Sequence, residues 1–172
     1  MDVYRVTKGS RRAARRRLRQ TSDPLTLVER ISPIEPREIR TEKVPFPRCI
    51  PLSGVVVLPD DLHGYDRALA LAHELGHLFD SVSLTGTDRA RFMHALGGPA
   101  RPWHDPTSTY CGEPAEAFAS AYALLSVRGP WRSRLFVNHH WSAENDARVL
   151  NTASEVIQEA CRRPPLAARI SP

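Results

Sequence analysis

The chain has 172 residues and a mass of 19.3 kDa, the size of one ordinary domain with one core. With 41% hydrophobic and 25% charged residues it falls outside the disordered, fibrous and collagen-like classes, and no apolar run approaches the roughly 20 residues of a membrane helix. The net charge of +5 is uneven: residues 1–20 hold eight basic residues against Asp2, whereas the remaining 152 carry 16 basic and 18 acidic residues.

The first segment, 1–20, contains Arg5, Lys8, Arg11, Arg12, Arg15, Arg16, Arg17 and Arg19. Such a block repels itself and contributes nothing to a core; it would attract nucleic acid or acidic surfaces. A solvated terminus, helical from Arg11 to Gln20, is the simpler reading, since no interleaved aromatics, zinc knuckle or helix-turn-helix accompany it. No apolar stretch of signal-peptide type follows, so the expected location is cytoplasmic, with specialised secretion left open. No contact with a membrane is expected, and oligomeric state is not legible. Residues 21–172 are expected to form one domain.

Six of the fifteen prolines fall between residues 21 and 52, which predicts extended segments and short edge strands rather than helices. Ser53 to Leu58 reads as a buried strand stopped by Pro59. Asp60-Asp61 offers an N-cap, and Leu69, Ala72, Leu75, Leu78 and Phe79 recur at helical spacing from Asp66 to about Val82. Thr85 to Asp88 reads as a turn and cap before a helix over 89–96 closed by Gly97-Gly98-Pro99. Residues 99–112 read as a loop. A helix is predicted from Pro114 to Val127, proline suiting its first turn, and a last one capped by Ser142 runs towards Arg162. The fold class expected is α+β: a small mixed or antiparallel sheet packed on the helix around residue 75, followed by a mainly helical C-terminal half.

The chemistry is concentrated in His73-Glu74-Leu75-Gly76-His77. Histidines four apart on a helix are rotated by about 40° and displaced by about 6 Å, so both imidazoles leave one face and can grip one ion. Glu74, one residue after the first histidine, is placed to act as a general base on water without joining the ligands. Zinc needs three protein ligands and an open position, so the HExxH pair asks for a third. A metzincin continuation is excluded, because Asp80 and Ser83 stand where its glycine and last histidine belong. Downstream, Glu113 and Glu116 both lie near the start of the helix from Pro114. The cysteines 49, 111 and 161 are scattered, odd in number and without metal-type spacing.

The run Glu116-Ala117-Phe118-Ala119 resembles the E-x-F-A signature of gluzincin-type zinc peptidases, including the lethal-factor-like and Pro-Pro endopeptidase group. HELGHxxD, met by His73 to His77 with Asp80, is similar in the same proteins, as is the gap of 39 residues from His77 to Glu116. The resemblance covers residues 53–127 and implies a zincin-like fold and peptide hydrolysis. It implies that His73, His77 and Glu116 hold one Zn2+ per chain, with Glu74 activating water; Glu113 is the rival third ligand. It further implies oxyanion stabilisation by a tyrosine before the glutamate, here Tyr110, and a peptide or protein substrate pairing with an upstream edge strand, here Gly54 to Leu58. Asp80 is expected either to orient a ligand histidine or to be a solvated helix-end acid. Ser120 departs from the pattern, standing four residues after Glu116 where relatives carry a second acid. His63, His94 and His104 are expected to be surface or loop residues, and His139-His140-Trp141 a packed Trp beside solvated histidines. The alternative function is a degenerate zincin fold used for binding or regulation, nucleic-acid-associated through the basic segment.

Overall fold

A computed structural model describes residues 31, 34–97, 102–104, 113–127 and 143–163. The basic segment 1–20, Tyr110, Cys111, residues 139–141 and Ser142 lie outside the described residues, and so do the expectations placed on them.

Three strands form one mixed sheet: β1 (Glu38–Glu42), β2 (Arg48–Ile50) and β3 (Val55–Pro59) in the order β1-β3-β2. β3 is apolar and buried along its whole length, so it sits in the middle, parallel to β1 and antiparallel to β2. Pro59 closes β3 as its last residue rather than standing beyond it. The turn from β2 to β3 ends at Gly54, whose φ of +66° favours glycine, and Gly54 N–H bonds to the Ile50 carbonyl at 3.0 Å. This order corrects the expected substrate strand: 54–58 is flanked on both sides, and β2 is the antiparallel edge.

Four helices follow: α1 (Gly64–Ser83), α2 (Gly86–Ala95), α3 (Pro114–Ser126) and α4 (Ala143–Arg162). The α+β arrangement with a helical second half is therefore met among the described residues. The N-cap of α1 is His63, without a side-chain cap bond, so Asp60 and Asp61 stand too early to serve as caps. α2 starts three residues before the predicted helix because Thr85 and Asp88 form a reciprocal capping box. One core joins Val56 and Leu58 of the sheet, Leu71, Leu75 and Phe79 of α1, Phe92 of α2, Phe118 of α3 and Val149, Val156 and Ile157 of α4. Phe118 is the shared aromatic, with ring centroids 5.3 Å from Phe92 and 6.0 Å from Trp103.

α1 and α3 come very close at Gly76. A Cβ built there would lie 2.7 Å from Ala119 Cα and 3.1 Å from the Ala119 carbonyl oxygen, so only glycine permits this spacing. Gly76 lies between His73 and His77, and Ala119 lies one turn after Glu116, so this backbone contact decides the geometry of the site.

Candidate metal centre

His73 and His77 leave the face of α1 that meets α3, and Glu116, in the first turn of α3, reaches them from the other side. His73 Nε2 is 3.0 Å from Glu116 Oε2, His77 Nε2 is 3.3 Å from Glu116 Oε1, and the two Nε2 atoms are 3.2 Å apart. The imidazoles meet edge to face, their centroids 4.8 Å apart. Four donors arranged tetrahedrally at about 2.0–2.1 Å from zinc lie about 3.3 Å from one another. The observed separations are close to that edge length, so this donor set fits a zinc ion in size and chemistry. His73, His77 and Glu116 form the one group of potential metal ligands among the described residues. Glu113 stands outside it; as N-cap of α3 its carboxylate lies 4.0 Å from His104 Nδ1.

Charge is held tightly here. Burial pushes the Glu116 carboxyl up, but hydrogen bonds and charge from His73 and His77 outweigh it and hold the group well below the usual carboxylate range. Burial pushes His77 down, while Glu116, followed by Glu74 and Asp80, draws it up to a net rise. Glu74 is 4% exposed, and burial raises its carboxyl against the opposing pull of both histidines and a hydrogen bond from the Cys49 backbone. A buried carboxylate with a raised pKa beside a candidate cation site suits proton transfer near neutral pH.

Ser120 Oγ lies 3.3 Å from His73 Nδ1. A histidine that offers its Nε2 lone pair to a cation carries its proton on Nδ1, where Ser120 accepts it. Asp80 differs from both expectations. Its side chain is buried in the last turn of α1, yet it bonds to Trp103 Nε1 at 2.9 Å and Arg89 Nε at 2.8 Å rather than to a histidine of the triad. Those partners stand 9 and 23 residues further on, outside α1, and they use both carboxylate oxygens.

A cavity of about 460 Å³ opens against His77 and Glu116 of the triad. Glu74, His77, Asp80 and Glu116 line it, together with Cys49 and Pro51 from the β2 side and Arg89 and His104 opposite. Its size suits a substrate segment rather than a lone ion. Arg89 and His104 were not singled out by sequence, since no local spacing marks them. His104 is exposed, as expected, but stands at the cavity, whereas His63 and His94 are simply exposed surface residues. Cys49 is half-buried, its thiol pushed up to about 12 by burial first and the nearby Glu74 second, so at neutral pH it remains a protonated apolar wall. No protein-family model, curated protein or solved structure matches this chain.

Proposed function

We propose that the chain is a zinc-dependent metallopeptidase of zincin type. The observation that carries this reading is the convergence of two Nε2 atoms and one carboxylate at mutual distances of 3.0–3.3 Å, beside a buried glutamate one residue from the first histidine. His73, His77 and Glu116 would hold the ion. Zinc bound there supplies Lewis acidity, lowering the pKa of water towards 7 and polarising a carbonyl.

The remaining steps belong to the chain's own residues. Glu74, kept basic enough by burial and close enough by helix geometry, takes the proton of the attacking water and returns it to the departing amine. Among the described residues β2 is an edge strand that reaches the cavity through Arg48 and Cys49, so an extended peptide could run beside it with its scissile bond near the triad, displacing the Cys49 backbone bond to Glu74. Ser120 keeps His73 in the required tautomer. Tyr110 is the proposed oxyanion donor on the resemblance alone.

Elemental analysis together with a peptide-library digest tests the reading. One zinc per chain is expected in the wild type and in Glu74→Gln, with hydrolysis abolished in the latter, and loss of zinc is expected in His77→Ala and Glu116→Ala. Equal zinc in wild type and Glu116→Ala would remove Glu116 from the ligands. A zinc-loaded wild type that cleaves no peptide would move the reading to a binding module on the same fold.

A further inference from the structure

Asp80 lies one turn beyond His77 on α1, and its residue is 2% exposed. Its hydrogen bonds lead away from the histidines. Oδ2 accepts from Trp103 Nε1 at 2.9 Å and Oδ1 from Arg89 Nε at 2.8 Å, while Arg89 Nη2 donates to the Asp80 carbonyl at 3.1 Å. With both oxygens engaged, the carboxylate is not free to rotate towards His77. The Arg89 guanidinium lies 5.7 Å from the centre of the Trp103 ring, which closes the cluster.

Trp103 continues the link. Its carbonyl accepts the Ala115 N–H at 3.2 Å, one of the first-turn donors of α3 that have no partner within the helix. The N-cap Glu113 gives that turn no side-chain bond, so Trp103 supplies part of the capping that the N-cap side chain does not. Ala115 adjoins Glu116. The two ends of the link therefore belong to the two helices that carry the triad, His77 and Asp80 on α1 and Ala115 and Glu116 on α3.

We propose that Asp80 is a positioning residue: through Trp103 it fixes where α3 begins relative to α1, and so where the Glu116 carboxylate stands against His73 and His77. The metal-binding arm of the test rests on the ligand reading given above, and a second arm does not.

Trp103→Phe keeps an aromatic ring against Phe92 and Phe118 but removes the N–H that reaches Asp80, together with part of the indole's volume, a packing loss for which Phe92→Leu below is the control. Its dissociation constant for zinc, measured by competition with a chromophoric chelator, should rise by about tenfold or more, and the visible spectrum of its cobalt form should change. Asp80→Asn, equal in size with one accepting oxygen, should weaken zinc in the same direction. Phe92→Leu, which thins the packing on the same indole, is the comparison: a lower Tm with zinc affinity within about threefold of wild type. In a crystal structure of metal-free Trp103→Phe, Glu116 Oε2 should leave its 3.0 Å approach to His73 Nε2. Unchanged affinity and unchanged separation would overturn the proposal, as would a loss of affinity in all three variants that merely tracks Tm. If the wild type binds neither zinc nor cobalt, the ligand reading fails, and the metal-free crystal structure alone decides the positioning role.

Discussion

At the scale of single residues, the contact between Ser120 and His73 Nδ1 leaves Nε2 as the ring nitrogen that meets Glu116 and His77. A carboxylate at this place would add charge and make the imidazole a stronger donor; a serine orients the ring without that charge. Ser120→Ala should therefore raise the zinc dissociation constant by about tenfold in a chelator competition, while Ser126→Ala, which loses a buried bond to the Tyr122 carbonyl on the same helix, should leave it unchanged. Equal effects in both variants would mean that the serine acts only through helix stability. The histidine pair was legible because the i, i+4 period is a local rule. Glu116 was singled out through a resembling motif, because nothing periodic joins positions 39 residues apart. Asp80 was misread for a related reason: an acid one turn from a ligand histidine looks like its partner, yet the indole and guanidinium that claim it come from Trp103 and Arg89.

At the scale of elements, the glycine at the α1–α3 contact and the ion pair at the end of α4 make separate predictions. Gly76→Ala gains about 1 kcal/mol of helix propensity but overpacks an interface whose opposing atoms are the Ala119 backbone and Tyr122 Cβ, at a cost of about 1–3 kcal/mol. The helices must part, so Tm should fall and zinc affinity should fall with it; a higher Tm with unchanged affinity would show that α3 yields without moving Glu116. Asp88 caps α2 and also receives Arg163 Nη2 at 2.6 Å, joining the start of α2 to the end of α4. Burial raises its carboxyl, but the bonds from Arg163 and Thr85 outweigh this, and its pKa ends below the ordinary 3.8. A depressed carboxyl contributes stability that is present above that value and is lost as pH falls through the folded pKa. Arg163→Gln should accordingly lower stability at neutral pH and flatten the acid side of a denaturation series below about pH 4. Parallel curves for the two proteins would place the acid sensitivity elsewhere.

At the scale of the whole molecule, charge is concentrated in the first twenty residues of the sequence, and strand order leaves β2 at an edge of the described sheet. Removing residues 1–20 changes the formal charge from +5 to −2, so any low-salt binding of duplex oligonucleotide should vanish in the truncated chain while its zinc content stays the same. Binding that survives truncation would lie on the domain. The element types were legible because helix periods, caps and proline breaks act over a few residues. Which strand lies at the edge was not, because Gly54 to Leu58 looks alike whether one or both sides are paired; pairing depends on where β1 returns. No described helix is long and apolar enough to cross a membrane. The contact between Gly76 and Ala119 acts as a fulcrum, and Glu116 lies three residues, about 4.5 Å, from it along α3. A rocking of α3 by about 10° would displace that carboxylate's backbone by only about 0.8 Å, against about 1.8 Å at Ser126, seven residues away. Thermal bending is thus felt at the far end of the lever, and the donors stay nearly still beside its pivot.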